Sequence, residues 1–235
     1  RNRTGILIEN TLRSLRWQDM PAESIEIVIS DFGSDAETVR WLGGLVDEFG
    51  LRVVRRETSE IWNRSKSLNI GIKAALGKYV LAVDSDVLYA PNCVRECVAA
   101  QKAAGDKLFA ICGLRDLPET LVPEAWQQSD FDRLLLESEY RPRLGTGPCQ
   151  CATRDFFFEV RGYDEGYRFW GAEDNDMAFR AEKYGLRLRW MHDKTSMLHQ
   201  WHPTSRHDRP VRKLINDLRL HLTKRIVRKN PLGWG

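Results

Sequence analysis

The stretch Tyr79-Val80-Leu81-Ala82-Val83-Asp84-Ser85-Asp86 joins five apolar or aromatic residues to two carboxylates that stand one residue apart. A short apolar run that ends in polar residues is typical of a strand buried inside a sheet. Ligands of open α/β sheets bind at the carboxyl ends of the strands, which is where Asp84 and Asp86 fall. Because carboxylates this close repel each other unless a cation lies between them, the stretch predicts a site for Mg²⁺ or Mn²⁺. The simpler alternative is a polar turn after a strand.

Strands and helices alternate along the chain on both sides of this stretch. Strands are predicted over residues 25–30, 51–55, 79–83, 108–112, 149–153 and 186–191. Helices are predicted over residues 11–17, 37–49, 67–76, 91–104, 131–139 and 176–184. This alternation predicts a doubly wound α/β sheet flanked by helices.

The composition is typical of one globular domain. The chain has 235 residues, of which 42% are hydrophobic and 29% charged, and this is enough to bury a core. A net charge of +3 is too small to indicate nucleic-acid binding. No apolar run reaches the length of a membrane span, and no signal peptide is visible. The five cysteines form no paired C-x-x-C motifs, so we interpret them as reduced, mostly buried thiols of a cytosolic protein.

The last part of the chain has a different pattern. Over residues 209–228, apolar residues recur at helical spacing and Lys and Arg fill most of the other positions. The simpler interpretation is a helix that packs its apolar stripe on the domain. The alternative is a basic amphipathic helix that lies on an anionic membrane or holds an anionic acceptor.

Three further segments accompany the acidic pair. Residues 62–79 read Trp-Asn-Arg-Ser-Lys-Ser-Leu-Asn-Ile-Gly-Ile-Lys-Ala-Ala-Leu-Gly-Lys-Tyr, residues 169–176 read Phe-Trp-Gly-Ala-Glu-Asp-Asn-Asp, and residues 199–203 read His-Gln-Trp-His-Pro. In this order and spacing, the four segments resemble the GT-A fold glycosyltransferases, and bacterial family 2 enzymes above all. The W-G-x-E-D segment is also similar to β-1,4-galactosyltransferases and chondroitin polymerases.

The resemblance covers residues 1–203 and implies an activity. It implies a GT-A catalytic domain over residues 1–205, built on a doubly wound mixed sheet, with an amphipathic helix and tail over residues 206–235. A strand that precedes Arg1 is expected in this family. The implied reaction is the metal-dependent transfer of a sugar from a UDP-sugar to a hydroxyl of a saccharide or glycoconjugate, with inversion. We expect a cytoplasmic protein with no nucleic-acid partner, and peripheral contact with the inner face of the membrane is the alternative role of the last helix.

The resemblance also assigns the metal ligands. Asp86 is expected to bind Mn²⁺ or Mg²⁺ most directly, and Asp84 to reach both the metal and the ribose. The third ligand is expected to be His199, with His202 as the alternate. A single histidine is otherwise more often a hydrogen-bonded structural residue, and the acidic pair is what favours a ligand here.

Five residues are assigned to the donor by the same resemblance. Asp31 begins a Asp-Phe-Gly-Ser segment similar to the D-D-G-S segment whose first aspartate accepts a hydrogen bond from uracil. Arg64 and Lys66 are expected in the loop before a helix, facing the diphosphate or the sugar, while Asn69 braces that loop. Ser85 lies between the two aspartates of the metal site. The alternatives are a turn aspartate at residue 31 and a solvated pair at residues 64 and 66.

The acceptor side of the site is expected around the W-G-x-E-D segment. The resemblance makes Asp174 the general base for the acceptor hydroxyl and lets Glu173 hold a hydroxyl of either substrate. Trp170 would offer a flat face to a sugar ring, Gly147 would form part of the floor of the acceptor site, and Gln150 is expected to point into that pocket. The alternatives are acidic caps of a helix N-terminus and core packing of the tryptophan.

Two rival functions are left open by these residues. The first is a retaining transferase of the same fold, of the mannosylglycerate synthase type, in which Asp174 orients the substrate and no carboxylate serves as base. The second is a nucleic-acid-binding protein that uses the basic C-terminal segment. It predicts a strongly salt-dependent complex that does not need Asp84.

Overall fold

The elements of the fold follow the alternation predicted from the sequence. A computed structural model of the protein describes residues 1–140, 146–147, 149–168, 171–203 and 210–235. The helices are α1 (Ile6–Arg16), α2 (Ala36–Phe49), α3 (Arg64–Ala74), α4 (Cys93–Ala103), α5 (Phe131–Glu137), α6 (Arg154–Glu159), α7 (Glu173–Tyr184) and α8 (Pro210–Thr223). The strands are β1 (Ile27–Phe32), β2 (Leu51–Arg56), β3 (Tyr79–Val83), β4 (Val87–Tyr89), β5 (Leu108–Ile111), β6 (Leu114–Asp116), β7 (Glu139–Tyr140), β8 (Cys149–Thr153), β9 (Arg187–Trp190) and β10 (Met197–His199).

The strands form three sheets. The first consists of the parallel strands β1 and β2. The second has the order β3-β8-β5-β9, in which β8 runs antiparallel to both of its neighbours. The third has the order β4-β10-β6-β7. Strand β4 starts one residue after Asp86 and pairs with β10 so that Val87 lies opposite His199. This pairing brings Val87 and His199, which are far apart in the sequence, together next to the acidic pair Asp84 and Asp86.

Two core clusters support that edge. One contains Phe109, Phe156 and Phe157 and packs between the second sheet and α7. The other surrounds β4, β5 and α4 and contains all five cysteines. Every cysteine is free and buried, as the sequence predicted. The strand over residues 79–83 is also confirmed at the predicted bounds.

Helix α3 starts earlier than its sequence pattern predicts. The side chain of Asn63 accepts a hydrogen bond from the backbone N–H of Lys66 at 3.0 Å and so caps the helix. The placement of Arg64 and Lys66 in the preceding loop is therefore wrong, because both lie in the first turn of α3. The helix ends at Ala74, before the predicted end at residue 76. An N-terminus of basic residues lacks the acidic signal that usually marks a helix start.

Helix α8 faces the domain with its polar side, contrary to the simpler interpretation. Asn216 is 2% exposed and exchanges hydrogen bonds with the backbone of Arg168. Arg219 forms an ion pair with the buried Asp164 at 2.7 Å. The apolar stripe consists of Val211, Leu214, Ile215, Leu218 and Leu222, each 56–69% exposed. Among the residues that the structure describes, no helix combines the length and hydropathy needed to cross a bilayer.

Candidate active site

The two carboxylates after β3 have different partners. Asp84 Oδ1 accepts a hydrogen bond of 2.6 Å from the guanidinium of Arg64. Asp86 forms an ion pair with Arg3 and lies 3.1 Å from His202 Nε2. Burial raises the pKa of Asp84, and the nearby Asp86 raises it further, while Arg64 opposes this shift. Each carboxylate of the pair is therefore close to a cationic or polar side chain, and the two carboxylates are close enough to influence each other's charge.

Asp86 and two histidines have the geometry of a metal site. One ligand atom from each of Asp86, His199 and His202 lies within 4.8 Å of the other two. His199 Nδ1 lies 3.0 Å from Asp116, which leaves Nε2 for another partner. A carboxylate that orients an imidazole in this way is common behind metal ligands. One carboxylate and two imidazoles are ligands that suit a divalent cation. Asp86 also forms an ion pair with Arg3, so this place in the fold already holds a positive charge.

The sequence motifs predict His199 as the third metal ligand, with His202 as the alternate. The structure places both histidines close to Asp86. Strand β10 places His199 beside β4, and the backbone N–H of Gln200 donates to the carbonyl of Asp86 at 3.0 Å. His202 follows on the same segment. Asp84 is not part of this three-residue group and faces Arg64 instead. Arg3 and Asp116 were not predicted, because neither belongs to a motif.

Arg64 links the acidic pair to the acceptor side. Its guanidinium contacts Glu173 at 3.2 Å and the carbonyl of Gly147 at 3.1 Å, in addition to Asp84. Burial disfavours its charge, but Asp84 and Glu173 raise the pKa of Arg64 well above its ordinary value. Arg64 is thus a permanently charged group held between two carboxylates, and such a guanidinium suits phosphate oxygens.

Glu173 and Asp174 open helix α7 but have different surroundings. Glu173 is 3% exposed, and within the described ranges its Oε2 has no hydrogen-bond partner. Burial raises the pKa of Glu173. The positive charge of Arg64 opposes this rise, and the nearby carboxylate of Asp174 adds to it. Asp174 is partly exposed, and its Oδ1 accepts from the N–H of Asn175 at 2.9 Å. A Cβ at Gly147 would lie 2.6 Å from Asp174 Oδ2, so a larger residue at position 147 would displace the carboxylate of Asp174.

Gln150 lies under the site and does not line it. Its amide nitrogen donates to the carbonyl of Asp174 at 2.9 Å, and its oxygen accepts from the hydroxyl of Tyr163 at 2.6 Å. The side chain is 1% exposed. The expectation that Gln150 points into the acceptor pocket is therefore wrong, and its contacts make it a support for the start of α7. Trp170, the predicted ring platform, lies outside the described residues.

Asp31 has an unusual carboxylate on the donor side. It lies in β1 and is 3% exposed. Its Oδ1 accepts from the N–H of Ser34 at 3.3 Å. In the part of the chain that the structure describes, its Oδ2 has no hydrogen-bond partner, and the nearest cation, Arg55, is 3.9 Å away. A buried acceptor without a partner is costly and is usually explained by an unseen partner.

The remaining donor-side residues are not gathered at the acidic pair. Lys66 forms an ion pair with Glu60. Asn69 is fully buried, and its amide bonds the backbone of Tyr163 and the carboxylate of Glu165. Asn69 thus braces the segment of Tyr163 and Glu165, and not the start of α3 where Arg64 and Lys66 lie. Ser85 is exposed in the turn between the two aspartates.

Comparison with known proteins places this site in context. A validoxylamine A glucosyltransferase of Streptomyces hygroscopicus subsp. jinggangensis is 25% identical, over 96% of this chain and 58% of that protein. The crystal structure of GalNAc-T7 with UDP, GalNAc and Mn²⁺ has a TM-score of 0.66 at 18% identity, covering 91% of this chain and 45% of that one. The crystal structure of S. aureus TarS 1–349 in complex with UDP has a TM-score of 0.62 at 22% identity, covering 83% and 57%. The structural matches confirm the predicted GT-A fold.

Two family models also match the chain. The model described as the N-terminal domain of galactosyltransferase matches residues 136–203, which include the W-G-x-E-D segment. The model of glycosyl transferase family 2 matches residues 2–166, more than half of the chain. The chain spans a little over half the length of the first curated relatives that it matches, 58% and 54%. The resemblance predicted from the motifs is confirmed, and the chain belongs to glycosyl transferase family 2.

Proposed function

We propose that the protein is a metal-dependent glycosyltransferase that moves a sugar from a UDP-sugar to a hydroxyl of a saccharide or glycoconjugate, with inversion. The observation that carries this proposal is the convergence of two groups at one sheet edge. Asp86, His199 and His202 come together as a cation site. Arg64 connects Asp84 beside it to Glu173, next to Asp174.

The metal is proposed to be Mn²⁺, with Mg²⁺ as the alternative. Asp86, His199 and His202 would hold it, and Asp84 lies close enough to add its charge. When bound, a divalent cation supplies Lewis-acid stabilisation of the negative charge on a diphosphate. The structure of GalNAc-T7 cited above contains Mn²⁺ together with UDP, which supports this choice of cation.

The donor is proposed to bind between Asp31 and Arg64. The partnerless Oδ2 of Asp31 is a buried acceptor, and the N3–H of a uracil base is the donor that it lacks. Arg64 presents a fixed guanidinium to the diphosphate, with Asp84 and Glu173 setting its orientation. Binding of UDP by TarS 1–349 supports a uracil nucleotide.

Asp174 is proposed to take the proton of the acceptor hydroxyl. Asn175 fixes Oδ1, so Oδ2 is the oxygen that is available beside Gly147. Gln150 holds the backbone of Asp174, and Tyr163 holds Gln150, so the base is anchored from below. Glu173 keeps one free oxygen for a sugar hydroxyl. The retaining mechanism is the alternative, and the anomer of the product distinguishes the two.

A donor screen tests the proposed function without knowledge of the acceptor. UDP-glucose, UDP-galactose, UDP-N-acetylglucosamine and UDP-N-acetylgalactosamine are each incubated with the protein and Mn²⁺, and UDP release is measured. We expect slow hydrolysis of at least one UDP-sugar that stops when EDTA is added, and little hydrolysis of GDP-mannose. Tight, strongly salt-dependent binding of nucleic acid that survives Asp84→Ala, with no hydrolysis of any donor, would favour the rival class.

Replacing either histidine should weaken the metal site. We expect His199→Ala and His202→Ala each to weaken Mn²⁺ binding by about 10- to 100-fold or more, the usual cost of losing a ligand or its support. The exposed His192 supplies the matched control, and His192→Ala should leave Mn²⁺ affinity unchanged. Affinity is measured by the paramagnetic relaxation of water protons. If His202→Ala alone weakens binding, His199 is not a ligand.

The proposal includes peripheral contact with an anionic membrane through α8. The helix is held on the domain by Asn216 and Arg219, and its apolar stripe faces away from it. Residues 206–235 contain nine Lys and Arg but two Asp, whereas residues 1–205 contain more acidic than basic residues. An exposed apolar stripe in a basic segment complements a surface with apolar chains below anionic headgroups.

Vesicle binding tests this contact. The protein should sediment with vesicles of phosphatidylglycerol and phosphatidylcholine, less so in high salt, and hardly at all with phosphatidylcholine alone. A triple variant, Leu214→Gln, Leu218→Gln and Leu222→Gln, should lose sedimentation while UDP binding stays unchanged. Val122→Gln, at an exposed apolar residue far from α8 in sequence, is the matched control. A stripe that instead drives dimerisation in the absence of lipid, or no sedimentation with anionic vesicles, would contradict membrane contact.

A further inference from the structure

The five cysteines of the chain share one core cluster behind the acidic pair. Cys93 and Cys97 lie one turn apart on α4, and Cys112 follows β5. Cys149 and Cys151 lie on β8. All five are fully buried, and together with Met191 and Met197 they line one side of the second core cluster. Buried cysteines are often simple core residues, so the distances between their sulfur atoms decide what this cluster can do.

Three of the sulfur atoms have the spacing of ligands that share one ion. The Sγ atoms of Cys93, Cys97 and Cys112 all lie within 4.8 Å of one another. Cys97 Sγ and Cys112 Sγ are 3.6 Å apart. Around a tetrahedral Zn²⁺ with Zn–S bonds of about 2.3 Å, two sulfur atoms lie about 3.8 Å apart. The three thiols therefore converge at a separation that one soft cation could bridge with little movement.

The surroundings supply further thiols to this group. Cys149 makes side-chain contacts with both Cys97 and Cys112, so it is an additional thiol that contacts two members of the group. Cys93 is the first residue of α4, so its thiol lies at the N-terminal end of that helix. Thr195 contacts Cys93 through its side chain. Two cysteines four residues apart on a helix, with one or two more from neighbouring strands, can chelate one ion because both helical thiols project on the same face.

We propose that Cys93, Cys97 and Cys112 bind a thiophilic d¹⁰ cation, Zn²⁺ or Cu⁺, with Cys149 as the fourth ligand where the ion requires one. Thiolate ligands select these ions, and a closed thiolate site is structural and not catalytic. Each thiol that binds releases its proton to solvent, so the complex forms with proton release. The site is separate from Asp86, His199 and His202, whose oxygen and nitrogen ligands suit harder cations.

The position of the cluster gives this ion a role in the fold. Tyr89 packs among the cysteines, and its hydroxyl donates to the backbone carbonyl of Asp84 at 3.1 Å. An ion that ties α4 to the end of β5 would thus fix the strand that begins directly after Asp86. Its loss should lower the thermal stability of the whole domain, because metal binding free energy adds to folding free energy.

Metal analysis and cobalt spectroscopy test the proposal. Protein purified without chelators should carry about one Zn²⁺ or Cu⁺ per chain, and elemental analysis distinguishes the two. Protein refolded with Co²⁺ under reducing conditions should show an intense thiolate-to-cobalt charge-transfer band, which the oxygen and nitrogen ligands of the other site cannot produce. Cys97→Ser and Cys112→Ser should lose the band.

Two control variants separate this site from the proposed active site. His199→Ala should keep the band, and so should Cys151→Ser, which removes a buried thiol outside the three-thiol group. If Cys97→Ser does not fold, the wild-type protein still decides the question. Absence of both bound metal and the charge-transfer band in folded wild-type protein would overturn the proposal, as would a band that Cys97→Ser and Cys112→Ser both retain.

Discussion

Asp86→Ala is expected to abolish the Mn²⁺-dependent part of UDP binding and all sugar transfer while leaving the fold intact. Asp86 is the carboxylate that both histidines approach, so its removal takes away the anionic member of the three-residue group and leaves two imidazoles. Losing a supporting residue of a metal site typically costs about 10- to 100-fold in affinity, and losing the anionic ligand itself should cost more. Arg3 and His202, its present partners, are partly exposed and can turn to solvent.

Calorimetry with UDP, in the presence and absence of Mn²⁺, measures this effect. The matched control is Asp47→Ala, at an exposed carboxylate of α2, a helix that supplies no residue to the proposed site. The control should bind UDP as the wild type does, and both variants should have wild-type circular dichroism spectra. Unchanged UDP affinity of Asp86→Ala in Mn²⁺ would show that Asp86 is not a metal ligand.

The residues of the proposed metal site could be predicted from the sequence because they lie in local motifs. Asp86 follows a strand whose pattern is clear, and His199 lies in a short segment with His202. The strands that bring them together are harder to predict. Strands β4 and β10 have three residues each, too few to show a two-residue period. Asp86, His199 and His202 could therefore be predicted from their motifs, but their proximity depends on a strand pairing that only the folded chain reveals.

The orientation of side chains could not be predicted, and Gln150 and α8 show why. Gln150 lies on a strand that is buried on both faces, so alternation does not reveal which face meets α7. The stripe of α8 was predicted from its spacing, but the period does not show which side meets the domain. Here the buried Asp164 pairs with the partly exposed Arg219, and this ion pair holds the polar face against the domain. In both cases a partner distant in sequence decides the orientation.

Arg64 shows how a helix start changes the chemistry of a site. The capping hydrogen bond of Asn63 places Arg64 in the first turn of α3, from which its guanidinium reaches both Asp84 and Glu173. From a loop, the same residue would have no fixed direction. The link between the metal side and the acceptor side of the site therefore depends on one cap, which sequence patterns place only to within a few residues.

Asp174→Asn is expected to leave donor binding nearly intact and to reduce turnover by about 10²- to 10⁴-fold, the usual contribution of a general base. Asparagine keeps the shape of the side chain and can still accept from the N–H of Asn175 through its oxygen. Its amide group cannot take a proton from the acceptor. Because the backbone of residue 174 stays bonded to Gln150, the start of α7 should not move.

The choice of control matters for this variant. Asp176, two residues further on, is fully buried in an ion pair with Arg180 at 2.7 Å, so Asp176→Asn would destabilise the fold and cannot serve. The exposed Asp47 is suitable, and Asp47→Asn should have wild-type turnover. Turnover is measured with saturating UDP-sugar and acceptor, and NMR determines the anomer of the product. A product that keeps the configuration of the donor would contradict the inverting mechanism and favour the retaining one, whereas near-normal turnover of Asp174→Asn would show that Asp174 is not the base.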